Sequence, residues 1–198
     1  MTEKEKAAKG LLYDANYDEA ILAESLRCQD LCYEYNQIRP SRLEERRKKM
    51  KEILGGTGEV FHIEQPFFCD YGYNIEIGEN FYMNYNCVIL DAAKITFGSN
   101  VFIAPNCGFY AAGHPLDAEQ RNQGLEIARP ITVGNNVWIG GNVVVVPGVT
   151  IGDDTVIGAG SVVTKDIPPG VIAAGSPCRV IRKITEDDKK KYHVRNEQ

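Results

Sequence analysis

From residue 133 onward the chain keeps a beat of six. Val133, Ile139, Val145, Ile151, Ile157 and Val163 recur without a skipped position, and Gly134, Gly140, Gly152 and Gly158 directly follow four of them. An earlier block runs Ile77, Met83 and Ile89, slips by two residues, and continues through Phe97, Ile103 and Phe109. Ordinary alternating strands joined by glycine turns would not hold such a beat through six units. A short strand and a corner per unit account for it. One apolar side chain per unit points inward and stacks on its equivalent in the next coil, while small residues tolerate the tight corner. Backbone hydrogen bonds then run between coils, and the repeats bury together a core that none could bury alone. The period predicts a solenoid over 59–184, with a tail at 185–198.

Residues 1–58 read as helical. Thr2 and Glu5 have capping-box spacing. Asp18 is placed to cap a helix with a broad apolar stripe of Ile21, Leu22, Leu26, Leu31, Cys32 and Tyr35. Pro40 and Ser41 punctuate the next start; Leu43, Met50 and Leu54 mark one face of a second helix, which Gly55-Gly56 stops. The basic run Arg46-Arg47-Lys48-Lys49 has Glu44, Glu45 and Glu52 beside it, the pattern of a solvated helix face.

A net charge of -5 argues against a broad nucleic-acid surface. No apolar stretch is long enough to span a membrane, and MTEKEKAAKG lacks the apolar core of a signal peptide, so a cytoplasmic location is expected. Cys28, Cys32, Cys69, Cys87, Cys107 and Cys178 are scattered singly, with no C-x-x-C pair. They read as small buried apolar residues, and no metal is expected.

The segments IGEN, IGDD and IGAGSVVTKDIPPG resemble the hexapeptide repeats of left-handed parallel β-helix acyltransferases. YDANYDEA, CDYGYNIEIGENFYMNYNCVILD, GHPLDAEQRNQGLE, ITVGNNVWIGGNVVVVPGVTIGDD and SPCRVIRKI are similar, in the same order, to the maltose and galactoside O-acetyltransferases, from about Lys9 to about Ile184. VILDAAKITFG and RNQGLE stand nearer the maltose members. The resemblance implies a mainly β fold, a left-handed parallel β-helix with a small helical N-terminal region and a protruding loop. It also implies an acetyl-CoA-dependent sugar O-acetyltransferase that needs no metal, assembled as a homotrimer with sites between subunits.

The repeat breaks after Phe109 and resumes at Ile131, leaving an inserted loop at 110–130. Loops on a rigid scaffold are common places for chemistry. The loop's one histidine, His114, lies between Gly113 and Pro115. Acetyl transfer to a sugar needs a base to take the hydroxyl proton, a task suited to imidazole near neutral pH. The resemblance assigns it to His114, and assigns the backbone N–H of Gly141 to the developing oxyanion. Trp138, the only tryptophan, falls beside the Gly140-Gly141 corner, as a cofactor contact or as outer-wall packing.

Further implications of the resemblance fall on Asp14, Asp70, Asn84 and Asp91 as acceptor-lining residues, with Glu126 orienting His114 or touching the acceptor. Asn84 and Asp91 are also ordinary turn residues. The galactoside branch carries an acid right after the position of Asp91, where this chain has Ala92, and a small polar residue in place of Asp70. Those departures favour a maltose-like acceptor. For coenzyme A, Ala159 and Thr164 fall along the pantetheine arm. Lys165, Arg179, Arg182 and Lys183 against the single acid Asp166 give a local charge of +3 for the phosphates. No motif activates Cys107 as a nucleophile, so direct transfer in a ternary complex is expected. A zinc-dependent anhydrase would need three converging histidines, and His62, His114 and His193 are dispersed. A non-sugar acceptor keeps the fold; a non-catalytic scaffold would lack both the histidine loop and the basic patch.

Overall fold

The computed structural model describes residues 1–191; His193, one of the chain's three histidines, lies outside the described residues. The beat of six builds a three-faced prism. Its first face stacks Phe61–Ile63, Phe81–Met83, Phe102–Ile103, Trp138–Ile139, Val156–Ile157 and Val171–Gly175 in parallel. A second face stacks Phe67–Cys69, Cys87–Leu90, Gly108–Tyr110, Val144–Val145 and Val162–Val163. The third holds Ile75–Ile77, Ile95–Phe97, Ile131–Val133 and Thr150–Ile151. The final strand, Cys178–Lys183, turns back antiparallel on Val171–Gly175 and ends the parallel run.

Each hexad residue of the sequence points into the prism: Val133, Ile139, Val145, Ile151, Ile157 and Val163 are all buried. Burying a Val or Ile side chain contributes about 1.5–3 kcal/mol, so the stack is the main source of cohesion. In the wider upper coils aromatic rings fill the axis, with Phe97 edge-on to Phe81 and Phe109 at centroid distances of 5.3 and 5.0 Å.

The corners are chemically distinct. Where the third face meets the first, Asn80, Asn100, Asn136 and Asp154 all adopt left-handed backbone (φ between 53° and 56°). Their side chains form a ladder of 2.9 Å hydrogen bonds down the edge. Asn and Asp tolerate this conformation because a short polar side chain bonds locally. Where the second face meets the third, the repeat is irregular. Ile75 pairs with Ile95, twenty residues on, whereas Thr132 pairs with Thr150, eighteen on. The two-residue slip therefore widens this edge in the upper coils, and the long loop leaves the prism at the same edge one coil below.

Helices α1 (Glu3–Ala8), α2 (Glu19–Gln37) and α3 (Leu43–Ile53) cover the upper end. Thr2 and Glu5 form the expected capping box, and Asp18 accepts from Ile21 N at 2.9 Å. The buried face of α2 is narrower than the expected stripe: Ile21, Cys28, Cys32 and Tyr35 are buried, while Leu22 and Leu26 are exposed. Leu43 is likewise exposed, but Met50 and Leu54 are buried. Arg46 departs from the solvated face read for its basic run, whereas Lys48 is exposed and Arg47 and Lys49 pair with Glu44 and Glu52. Arg46 is only 4% exposed, and its guanidinium donates to Ile63 O (2.7 Å), Pro40 O (3.3 Å) and the Glu64 carboxylate (2.9 Å). A guanidinium is tolerated there because the Glu64 carboxylate, the carbonyl of Ile63 at the end of the first strand and the Pro40 carbonyl before α3 accept its protons.

Candidate active site

The inserted loop is an ordered structure. Ala112–Gly113, the short helix α4 (Ala118–Asn122) and Leu125–Ala128 fold back on one another, and Asp117 caps α4 by accepting from Gln120 N at 2.9 Å. Leu125–Ala128 pairs antiparallel with Ala112–Gly113 on one side and with Tyr13–Asp14 on the other. The N-terminal segment is thus the third strand of the loop's own sheet. Asn16 adds a bond from its side-chain amide to Gly124 O at 2.8 Å.

This sheet fixes the histidine. His114 directly follows Gly113, which stands opposite Ile127, so the adjacent Glu126 faces the imidazole with Oε1 3.9 Å from Nε2. That separation is an ion-pair distance rather than a hydrogen bond. The other oxygen of Glu126 accepts from the Tyr13 hydroxyl at 3.1 Å. Burial, and secondarily the Glu126 charge, raise the Tyr13 phenol well above its ordinary range, so it is a constant donor. His114 itself remains half exposed at the mouth, while Glu126 is largely covered. Sequence reasoning missed Tyr13; its only signal was its place directly before Asp14 in YDANYDEA.

Asp14 faces the same loop, opposite Leu125, and its carboxylate accepts from Asn16 N and Tyr17 N in a tight turn. Asp70 lies on the widened edge, lining a cavity of about 630 Å³ with Asn36, Cys69 and Leu90. Its own carboxylate makes no hydrogen bond among the described residues. Burial, then the negative charges of Asp91 and Glu126, push it up to about 7.

Asp91 takes a different part from the acceptor-lining one expected. It is fully buried, and its carboxylate accepts from the backbone N–H groups of Asp70 (3.0 Å), Tyr71 (2.9 Å) and Asn74 (3.3 Å). The two extra residues in this corner leave backbone donors without a neighbouring coil to receive them, and Asp91 supplies the acceptor. Burial dominates these donors and raises the carboxyl to about 6.

The remaining expected residues lie on other edges. Asn84, Gly141 and Ala159 follow strands of the first face, at the corner where it turns into the second. Asn84 accepts from Tyr85 N at 2.8 Å. Gly140 and Asn142 donate to Ile157 O and Pro105 O, whereas the Gly141 N–H has no protein acceptor among the described residues. A side chain at Gly141 would press on Pro105 O, 3.3 Å from an added Cβ. Trp138 projects from the first face and is 56% exposed, below Phe102 in register, so it is not a packed wall residue in this chain.

Thr164 and Lys165 are exposed at the lower end of the His114 edge. Arg179 is exposed on the terminal hairpin and donates to Cys178 O. Arg182 holds Asp188 by two bonds of 2.6 and 2.7 Å, so a count that stops at Lys183 overstates the free positive charge. The cysteines are all buried, as expected, but not all isolated: the thiols of Cys28, Cys32 and Cys69 converge between α2 and the first coil. His62 stacks on Tyr82, far along the chain from the loop, and bonds to Glu64.

Comparison with known proteins fits this geometry. Residues 6–58 match the maltose acetyltransferase hexapeptide capping motif, and residues 130–165 match the bacterial transferase hexapeptide (six repeats). The chain is 50% identical over 192 residues to the galactoside O-acetyltransferase of Escherichia coli, covering 97% of this chain and 93% of that one. The chain belongs to the hexapeptide-repeat acetyltransferases. Its prism is their left-handed parallel β-helix. A maltose O-acetyltransferase structure from Clostridium difficile superposes with a TM-score of 0.92 at 51% identity, covering 94% of this chain and 99% of that one. A galactoside acetyltransferase in complex with coenzyme A superposes with a TM-score of 0.93 at 47% identity, covering 100% and 98%. Within this acetyltransferase family the chain is therefore about equally similar to proteins named for either sugar.

Proposed function

We propose that this chain transfers an acetyl group from acetyl-coenzyme A directly to a hydroxyl of a sugar, maltose, glucose or a relative, with His114 as general base. The observation that carries the reading is the Tyr13–Glu126–His114 chain at the one irregular edge of the prism. The sugar oxygen attacks the thioester carbonyl carbon as His114 takes its proton, and the imidazolium forms facing the Glu126 carboxylate. The Gly141 N–H receives the oxyanion. The carbon–sulfur bond then breaks, the proton passes from His114 to the departing thiolate, and an acetyl ester and free coenzyme A remain. Asp14 and Asp70 border the acceptor side, with Ala92 in place of an acid favouring a maltose-like sugar. Lys165 and Arg179 suit the phosphate end, with Ala159, Thr164 and Trp138 along the donor's path.

His114 and Gly141 stand at different edges of one chain, separated by the second face. At ~3.3 Å per residue a six-residue side spans roughly 15–20 Å, too far for one reacting centre. Base and oxyanion donor meet where the His114 edge of one copy lies against the Gly141 edge of another, and three copies close such a ring. Leu116, 99% exposed at the loop tip, supplies an apolar contact for that neighbour. No helix among the described residues is long and apolar enough to cross a membrane. The coenzyme A donor supports a cytoplasmic setting.

The test is release of free coenzyme A from acetyl-coenzyme A across a sugar panel, with His114→Ala as control. Turnover abolished in the control supports both reaction and base. Tight coenzyme A binding without turnover on any sugar moves the acceptor to another class, and an isolable acetyl-enzyme refutes direct transfer.

A further inference from the structure

Cys28 and Cys32 stand four residues apart on the buried face of α2, one turn above the other. Cys69 closes the strand Phe67–Cys69 beneath them. Its Sγ lies 3.5 Å from that of Cys28 and 3.7 Å from that of Cys32, and the three sulfurs all lie within 4.8 Å of one another. We propose that these three thiols bind one zinc ion, which fastens the N-terminal helices to the first coil of the β-helix.

The spacing suits the ion. A Zn–S bond of about 2.3 Å in a tetrahedral site sets sulfurs roughly 3.8 Å apart, so the cluster needs only small adjustments to close on a cation. A disulfide would instead require a pair to approach to about 2.05 Å and would leave the third thiol without a role. The other buried thiols behave differently. Cys107 donates to Gly140 O at 3.2 Å and Cys87 to Ala104 O at 3.5 Å, whereas Cys28, Cys32 and Cys69 make side-chain bonds only to one another.

Access also fits. Cys32 and Cys69 border the cavity of about 630 Å³ that holds Asp70 and Asn36, and Cys28 borders a second of about 290 Å³ lined by Arg27, Glu52 and the Lys4–Glu24 ion pair. A cation can enter from either side, and the first cavity leaves room for water as the fourth ligand. Three thiolates around Zn²⁺ leave a charge of only about -1. Soft thiolates favour zinc over hard cations such as magnesium or calcium. The site is separate from the acetyl-transfer chemistry, yet Cys69 directly precedes Asp70, so the ion would also steady the acceptor edge.

The test uses the full chain, reduced, stripped with a chelator and titrated with Co²⁺ and then Zn²⁺. Expected is one Co²⁺ per chain, with a thiolate-to-cobalt charge-transfer band and the visible bands of tetrahedral cobalt, bleached by one equivalent of Zn²⁺. Cys28→Ser and Cys69→Ser lose the charge-transfer band, while Cys178→Ser, a buried cysteine elsewhere, keeps it. Should the serine variants fail to fold, alkylation of the unaltered chain in mild denaturant replaces them: Zn²⁺ protects three thiols. No cobalt band in the reduced chain, a band undiminished in Cys69→Ser, or thiol reactivity indifferent to Zn²⁺ overturns the proposal.

Discussion

Replacing Asp91 separates a structural role from a substrate-binding one. Asp91→Ala removes the buried acceptor of three backbone donors, two of them at 2.9–3.0 Å. Hydrogen bonds to a charged group contribute about 1.5–3 kcal/mol each, so the two short ones account for about 3–6 kcal/mol. Removing a buried carboxylate returns part of this. Its rise from 3.8 to about 6 corresponds to about 3 kcal/mol against the ionised form at neutral pH. The net loss is at most about 3 kcal/mol, or up to roughly 12 °C in melting temperature for a chain of this size. Asp91→Asn keeps one oxygen for Asp70 N and Tyr71 N and discards the charge, so it is milder and close to neutral near pH 7. The pH sign follows from the raised folded value. The stability Asp91 contributes is fully present below about 3.8 and lost as pH rises through about 6. The unaltered chain should therefore gain on Asp91→Asn as pH falls through that window. Urea unfolding near pH 7 and near pH 5, at one fixed protein concentration, reads both effects, with acceptor KM measured in parallel. An Asp91→Ala chain with an unchanged unfolding midpoint and a raised acceptor KM would refute this account and return Asp91 to the substrate.

Tyr13→Phe deletes the hydroxyl that holds Glu126, and should lower kcat several-fold with little change in acceptor KM and a displaced pH–rate profile. An unaltered profile with normal kcat would remove Tyr13 from the site. Glu64→Gln weakens the buried partner of Arg46 and should cost about 1–3 kcal/mol near pH 7 by chemical unfolding. Burial raises the Glu64 carboxyl, but the bonds to Arg46 and His62 outweigh it and leave it below its ordinary 4.5. Its stabilisation is thus present above 4.5 and lost as pH falls through the lowered value, so the variant's deficit should shrink in acid. Gly140→Ala places a methyl 2.6 Å from Ala159 N, a backbone atom that cannot yield, and should cost about 1–3 kcal/mol or more in thermal unfolding.

The prism was legible because its signal is local and periodic. Every inward residue sits six positions from the next, and the two-residue slip and the long loop mark one edge through residue spacing alone. His114 stood out for the same reason, as the one histidine in the one insertion. The parts that could not be read depend on partners far apart in sequence. Tyr13 and Glu126 are 113 residues apart, and only the antiparallel seating of Tyr13–Asp14 on the loop joins them. Arg46 looked solvated beside Glu44 and Glu45, because the carbonyl of Ile63 and the carboxylate of Glu64 lie on a different element. Cys69 is remote from Cys28 and Cys32 along the chain, and α2 brings them together only by packing on the first coil.

The sequence by itself determined the repeating fold, the edge that carries the inserted loop and the histidine on it, since a short-range beat dictates how each coil stacks on the last. Tertiary structure alone decided which polar groups serve the backbone, as Asp91 does, and which stay free at the mouth, as Asp70 does. Those assignments depend on the burial and the unpaired N–H groups that arise only when the coils, the loop and the N-terminal helices meet.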